Sequence, residues 1–247
     1  MFTRNVADGV HRISHAYVNF YVVEGDDGVT IVDSGLPAMW TMMAKSLVSL
    51  GYGRADVKAV VLTHAHFDHL GLAARAQREL HVPVWAHSGD AYIAAHPYRY
   101  KHEKSRLLFA LTHPAGLPAL LSMARAGALW VRGIRHLDHF GEGEVLDVPG
   151  RPEIVFCPGH TQGHCALFLR DRNVLFSGDA LVTLDPYTGR EGPHIVAGAA
   201  TADSTQALAS LTRLAATEAG LVLPGHGEPW TGGIAAAADI ALRNGPS

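Results

Sequence analysis

One short run of the sequence combines three histidines with an aspartate: His64-Ala65-His66-Phe67-Asp68-His69. Histidine is the commonest protein ligand for metal ions, and 16 of the 247 residues are histidines. His64 and His66 are two residues apart, so their side chains share a face only where the backbone is extended or turning. Asp68 and His69 project differently once the chain turns into a helix. The run therefore predicts one loop that directs two ligands to one metal ion and two to a second.

Three further motifs each follow a predicted strand and contain a metal-binding residue type. They are Pro158-Gly-His160-Thr, Ser177-Gly-Asp179 and Pro224-Gly-His226-Gly. Strand ends deliver side chains to a common edge of a sheet. Imidazole nitrogens and carboxylate oxygens are zinc ligands, and catalytic zinc sites leave one position open for water. Five histidines and two aspartates suffice for two metal ions about 3.5–4 Å apart.

Taken together, these motifs resemble the metallo-β-lactamase superfamily, over most of the chain outside residues 97–140. The resemblance implies an α/β fold of the αββα-sandwich type with the metal site at one edge. By position, it assigns three residues to a first zinc ion, three to a second and one to a bridge between them. These are His64, His66 and His160; Asp68, His69 and His226; and Asp179. Asp33, after the predicted strand Val29–Val32, matches the acidic residue that supports such a site from behind.

The resemblance also implies two Zn²⁺ ions per chain, with iron or manganese as alternatives. A water molecule shared by two zinc ions has its pKa lowered to about 7, and the resulting hydroxide attacks a carbonyl carbon. Asp68 is the candidate catalytic residue, because it could orient this nucleophile. The expected reaction is hydrolysis of an ester, thioester or lactone. Two alternatives stay open: β-lactamase-type amide hydrolysis, and a sulfur dioxygenase with a single iron ion.

The sequence differs from three better-known branches of the superfamily at positions that those branches use. The commonest true β-lactamases have a cysteine where this chain has Asp179. Glyoxalase II has an additional helical domain after its last ligand, whereas only 21 residues follow His226 here. Lactonases of this fold have a tyrosine three residues after the bridging aspartate, where this chain has Val182. The natural substrate therefore stays open.

The elements that must hold these residues alternate between strands and helices over a predicted single domain, residues 1–247. Strands are expected at Val10–Ile13, Asn19–Glu24, Val29–Val32 and Lys58–Thr63, with a buried run of Val and Leu in the last. A helix is expected from Pro37 to Gly51 and a second near Leu70–Leu80. In the second half, strands are expected at Ile154–Phe156, Ala166–Leu169, Val174–Phe176 and Leu221–Leu223. Helices are expected at Asp203–Ala219 and Ile234–Arg243.

Residues 97–140 have a different pattern and predict an inserted helical lid. Their leucine clusters are interrupted by Pro114 and Pro118, they show no strand pattern, and they carry seven basic residues against two acidic ones. A small substrate that is anionic or carries an acyl group would suit such a lid. The candidate substrate-binding residues are Arg99 and Lys101 in the lid, with Tyr187 and His194 in the loop after Asp179. The lid leucines could also form a homodimer interface.

Composition excludes several other classes of protein. A formal net charge of −3 argues against a nucleic-acid partner. No window reaches 18 uninterrupted apolar residues, so no membrane span is expected. The first ten residues lack the apolar segment of a secretory signal, which predicts a cytoplasmic protein. Cys157 and Cys165 are too few for a disulfide framework.

Overall fold

The computed structural model describes all 247 residues, and most of its strands form two sheets. The first sheet has seven strands in sequential order, antiparallel from the first to the fourth and parallel from the fourth to the seventh. They are β1 (Phe2–Ala7), β2 (Val10–His15), β3 (Val18–Gly25), β4 (Gly28–Val32), β5 (Val57–Val61), β6 (Val84–His87) and β7 (Asp138–Phe140).

The second sheet has four strands: β8 (Glu153–Phe156), β9 (Cys165–Leu169), β10 (Val174–Gly178) and β13 (Leu221–Pro224). A separate hairpin follows β10 in the chain and consists of β11 (Val182–Leu184) and β12 (Glu191–His194). The spatial order of the sheet is β13-β10-β9-β8, with β10 parallel to β13 and antiparallel to β9.

Helices cover the outer faces of both sheets, so the layers follow the predicted order α, β, β, α. The helices are α1 (Trp40–Leu50), α2 (Phe67–Leu70), α3 (Ala73–Leu80), α4 (Ala91–Ala95), α5 (Arg106–Thr112), α6 (Leu117–Arg125), α7 (Ser204–Ala215) and α8 (Ile234–Asn244). One apolar cluster fills the space between the sheets, where Tyr21 of β3 meets Phe176 of β10. Two others lie under α1 and α3, and under α7 and α8.

Several predicted elements are confirmed, and for the physical reasons on which their prediction rests. The Val-rich strands β4 and β5 are buried on both faces, as near-continuous apolar runs predict. A 3₁₀ turn, Pro37–Met39, leads into α1, and Gly51 ends this helix in the left-handed conformation. Asp203 caps α7 by accepting a hydrogen bond from the Gln206 amide.

Other predictions need correction. Residues 97–140 do contain a strand, because β7 pairs in parallel with β6 at the edge of the first sheet. The strand is missed because Asp138-His139-Phe140 is short, and it is exposed except at its last residue. The predicted helix near Leu70–Leu80 is two helices, α2 and α3, since the chain breaks at Gly71 and Leu72. The sequence patterns predict neither β1 nor α4.

Some residues of the predicted lid belong to the hydrophobic core, and others are exposed. Met123 and Ala126, at the end of α6, belong to the apolar cluster under α1, together with three residues that follow them. The outward-facing leucines of α5 are exposed instead. No single helix has the length and apolar composition needed to cross a bilayer; α5 and the segment Pro114–Arg125 meet that criterion only as a pair, bent by 100°.

Candidate metal centre

Strand ends at one edge of the two sheets carry the residues of the candidate centre. The run from His64 to His69 follows β5 and enters α2, and Asp33 follows β4. Asp179 follows β10 and His226 follows β13, which is parallel to it. His160 precedes β9, and since β9 runs antiparallel to β10, its start lies at the same edge. Topology therefore brings together the seven predicted ligands, which are up to 162 positions apart in the sequence.

All seven predicted metal-binding residues converge at this edge and are almost completely buried. Three overlapping groups have ligand atoms within 4.8 Å of one another; they are His64, His66 and His160; His64, His69 and Asp179; and Asp68, His69 and His226. Asp179 lies between the groups. Its Oδ2 is 3.5 Å from His160 Nε2 and 3.2 Å from His226 Nε2. Its Oδ1 is 3.4 Å from His69 Nε2.

Hydrogen bonds behind two of the histidines determine which ring nitrogen faces the centre. The Thr63 hydroxyl donates to Asp33, 2.9 Å away, so its oxygen is left to accept from His64 Nδ1 at 3.0 Å. The Thr201 hydroxyl donates to the Val196 carbonyl, and its oxygen likewise accepts from His160 Nδ1 at 3.1 Å. In both rings Nδ1 therefore carries the proton, and the Nε2 lone pair points to the centre.

Two further histidines are oriented in the same way by acceptors that cannot donate. His69 Nδ1 donates to Asp33 Oδ2 at 2.9 Å, and His226 Nδ1 donates to the Tyr17 carbonyl at 2.7 Å. Both Nε2 atoms then face Asp179. Asp33 has φ +59°, a left-handed conformation that aspartate tolerates better than most residues. This turn lets one carboxylate contact both Thr63 and His69. Support of a bound metal by Asp33 stays a prediction.

The centre also has unsatisfied ligand atoms and space for a cation. His64 Nε2, His69 Nε2 and Asp179 Oδ1 are buried without a hydrogen-bond partner. The nitrogen of His66 that faces the other ligands is Nδ1, which lies 2.9 Å from His160 Nε2. Leaving such groups unpaired is costly, and a metal ion would satisfy several of them at once. Gly225 borders the same space, because a Cβ there would collide with Asp179 Oδ1 and His69 Cε1. The residues present therefore fit a divalent metal ion.

Electrostatics differ between the two sides of the centre. Burial lowers the pKa of His160 to about 4 and holds that of His64 well below its ordinary value, since a charged ring would lose its hydration. Burial opposes protonation of His226 too, but Asp179 and Asp68 raise its pKa to about 10. Despite burial, Asp179 and Asp33 likewise raise the pKa of His69. A cation bound beside the carboxylates would replace these protons.

Asp90 is a supporting residue that sequence reasoning missed. It is completely buried between β6 and α4, and its Oδ2 accepts hydrogen bonds from the Ala65 amide at 3.0 Å and the Thr161 hydroxyl at 2.8 Å. Its Oδ1 accepts from the Gly163 amide at 2.8 Å. One carboxylate thus joins the loop of His64 and His66 to the loop of His160. No local motif marks it, because its partners are distant in sequence.

His164 is a buried histidine whose ring nitrogens both have partners. Its Nε2 accepts hydrogen bonds from the backbone amides of Asp179 and Ala180, at 3.0 and 3.1 Å. Its Nδ1 lies 3.2 Å from the Cys157 sulfur. His164 therefore positions the backbone of Asp179.

The four predicted substrate-binding residues differ in burial and in their distance from the candidate metal centre. Tyr187 lies beside the centre, against Tyr100 of the lid. His194 is buried in β12, where the charges that influence its pKa are Asp185 and Arg190 rather than any of the seven residues. Arg99 and Lys101 are exposed, and neither side chain makes a hydrogen bond or ion pair. Their contact with a substrate stays a prediction.

A cavity of about 580 Å³ lies on the outer side of the His226 loop. Tyr17, Thr183, Glu228 and Trp230 are among its lining residues, and none of the seven residues of the centre is. The main-chain carbonyl of Tyr17 is the acceptor for His226, so this cavity borders a residue that orients the centre.

Comparison with known proteins establishes the family. The profile of the metallo-beta-lactamase superfamily matches residues 15–226, from the end of β2 to the last predicted ligand. The chain therefore belongs to the metallo-β-lactamase superfamily.

Two curated relatives and two solved structures illustrate the similarity. The probable metallo-hydrolase YflN of Bacillus subtilis is 28% identical over 246 residues, covering 92% of this chain and 86% of YflN. Hydroxyacylglutathione hydrolase GloC of Haemophilus influenzae is 28% identical over 134 residues, covering 51% of this chain and 50% of GloC. Three other curated relatives are matched over 49% to 62% of their length.

Among solved structures, the metallo-beta-lactamase family protein TTHA1429 from Thermus thermophilus has a TM-score of 0.69 at 25% identity. The similarity covers 97% of this chain and 80% of TTHA1429. TTHA1623, solved in a di-iron-bound form, has a TM-score of 0.61 at 26% identity, with 89% of this chain and 92% of TTHA1623 covered.

Proposed function

We propose that the chain is a hydrolase with two metal ions that cleaves an ester, thioester or lactone bond in a small anionic or acyl-bearing substrate. The observation that carries this proposal is the set of buried ligand atoms, four of them turned toward one space by hydrogen bonds behind the rings. One ion would be held by His64, His66 and His160 and the other by Asp68, His69 and His226, with Asp179 between the two groups.

Two divalent ions supply Lewis acidity and lower the pKa of a water molecule when they are bound. Asp68 would orient that water. Burial opposes the ionisation of Asp68, but His226 lowers its pKa, so the carboxylate is charged at neutral pH. At 6%, Asp68 also has the largest exposed fraction of the seven residues, which supports a position that water can reach.

Zinc is the proposed metal, because its catalytic sites use imidazole nitrogens and carboxylate oxygens. Iron is the second candidate, and the di-iron form of TTHA1623 favours it. GloC, by its name, acts on hydroxyacylglutathione, which supports including a thioester among the test substrates. Arg99, Lys101, Tyr187 and His194 are the proposed substrate contacts.

The test measures metal content and hydrolysis in the same preparations. The purified chain is expected to hold about two metal ions, and the zinc-loaded form to hydrolyse a generic thioester or lactone faster than a chromogenic cephalosporin. His66→Ala removes one ligand, so activity should fall by at least about a hundredfold, together with loss of metal.

His136→Ala is the matched control, since His136 is an exposed histidine that belongs to none of the ligand groups. It should retain metal and activity. A His66→Ala variant that retains both would contradict the proposal. One iron ion per chain with oxidation of a thiol substrate would instead support a dioxygenase.

A further inference from the structure

Three side chains from the lid and the following hairpin form a cluster over the metal-binding histidines. The Tyr100 ring centroid lies 3.9 Å from that of His66. The guanidinium carbon of Arg106 lies 4.0 Å from the Tyr100 ring centroid, stacked over the ring. The Tyr187 phenol lies against Tyr100, and each hydroxyl influences the pKa of the other. Tyr100, Arg106 and Tyr187 are called the tyrosine–arginine cluster below.

Arg106 carries a charge that no acidic residue pairs with. Its Nε is buried without a hydrogen-bond partner, and its guanidinium makes no ion pair. The acidic residue closest in sequence, Glu103, is engaged elsewhere, because it accepts hydrogen bonds from the amide and hydroxyl of Ser204 at 2.8 and 2.6 Å. The Arg106 side chain is half-buried, and stacking holds its guanidinium against the Tyr100 ring. The guanidinium is therefore ready to receive an anion.

Contacts outside the cluster hold it in place. The link between Glu103 and Ser204 fixes the start of the lid to α7, and the Glu103 amide donates to the Gly198 carbonyl at 2.9 Å. Asp185 accepts from the Tyr187 amide at 2.9 Å. Gly116 packs so closely on the hairpin that a Cβ there would collide with the Tyr187 carbonyl. The three side chains are thus oriented before any ligand arrives, which lowers the entropic cost of binding.

We propose that the tyrosine–arginine cluster binds a carboxylate of the substrate and so selects esters or thioesters that carry one. Arginine presents a planar fork of donors that matches a carboxylate. The fork stacks on the face of the Tyr100 ring, so a carboxylate bound to it would lie beside that ring. Contact with His66 places the bound carboxylate close to the reacting bond. This inference rests on the proposed function, since it names the substrate class of the same site.

The test compares a charged and a neutral ester of the same chain length. Mono(4-nitrophenyl) adipate carries a terminal carboxylate, and 4-nitrophenyl hexanoate does not. Arg106→Gln should raise KM for the adipate ester by about ten- to a hundredfold, because a charge-assisted pair is lost, and leave kcat nearly unchanged. KM for the hexanoate ester should change less than about twofold. Arg106→Lys should retain part of the discrimination, since it keeps the charge but not the fork.

Arg125→Gln is the matched control, because Arg125 is an exposed arginine of the same lid. It should leave both KM values unchanged. If the substrate carries its carboxylate on the leaving group, 4-acetoxybenzoate and its methyl ester will show the same discrimination. A role of Arg106 in packing alone would change both esters equally and would overturn the inference, as would equal KM values for charged and neutral esters in the unaltered chain.

Binding of adipamic acid, which has one carboxylate and no ester, separates this inference from the proposed hydrolysis. Titration calorimetry of the metal-loaded chain should show binding that Arg106→Gln weakens by about tenfold or more. Binding without hydrolysis of any ester would contradict the proposed function and keep the carboxylate site. Hydrolysis without charge-dependent binding would support the proposed function and contradict the carboxylate site.

Discussion

The Thr201 hydroxyl illustrates how one residue outside the ligand set controls the chemistry of another. Thr201 donates to the Val196 carbonyl, and this leaves only its oxygen for His160 Nδ1. His160 Nε2 then faces the centre, where it lies 2.9 Å from His66 Nδ1. Hydrogen-bond partners of this kind fix the orientation of the histidine ring that binds the metal. Their loss typically weakens metal binding by about ten- to a hundredfold.

Thr201→Val should therefore weaken metal binding by about that factor. Valine has nearly the same shape, but it offers His160 no acceptor, so the ring can turn or change its protonated nitrogen. Competition with a chromophoric chelator measures the change in affinity. Thr212→Val is the control, because Thr212 is exposed on α7 and bonds only within its helix. Equal affinities of the two variants would contradict the orienting role of Thr201.

At the scale of the elements, a single carboxylate connects the loops that follow different strands. Asp90 lies in the turn after β6 and holds the Ala65 amide, the Thr161 hydroxyl and the Gly163 amide. These contacts fix the loop after β5 relative to the loop before β9. The His64, His66 and His160 group depends on that alignment.

Asp90→Asn should lower the free energy of unfolding by about 1–3 kcal/mol, because the new amide group can accept at only one of its two ends and places a donor against buried donors. Misaligned loops should also reduce metal content. Chemical denaturation and metal analysis measure the two effects. Asp171→Asn, at an exposed aspartate, is the control and should change neither. Unaltered stability and metal content in Asp90→Asn would exclude the connecting role.

Elements were predictable where the sequence pattern is local. The apolar runs of β4, β5 and β10 and the stripe of α1 are confirmed, because burial on both faces or on one face leaves a period in the sequence. β7 and the β11–β12 hairpin leave no such period. Their pairing depends on neighbouring strands, which the local sequence does not specify.

For the whole molecule, the outward face of the lid is unusually apolar. Leu108, Leu111 and Trp130 are 63%, 72% and 73% exposed, and three other leucines, Leu107, Leu121 and Leu129, are more than half exposed. Grouped exposed apolar side chains of this kind commonly mark an interface. The sequence-based interpretation of the lid as a homodimer interface stays a prediction, and this exposure supports it.

A variant with both Leu108→Lys and Leu111→Lys should weaken self-association by about tenfold or more, because two charges would enter an apolar contact. Light scattering after size-exclusion chromatography measures the mass at several concentrations. Val48→Lys is the control, since Val48 is 72% exposed on α1, outside the lid. A chain that is monomeric at all concentrations without any substitution would show that the lid face has another role.

The amino-acid sequence by itself predicts the candidate ligand set and the layered fold, because both depend on local patterns of residue type. Residue types at strand ends name the candidate ligands, and apolar periodicity names the strands and helices that hold them. Only the tertiary structure shows which residues surround those ligands. Asp90 lies 71 positions from Thr161, and Thr201 lies 41 positions from His160. Arg106 likewise lies far in sequence from Tyr187. Such contacts exist only after folding, because chain closure and packing bring the groups together, and no local pattern encodes that distance.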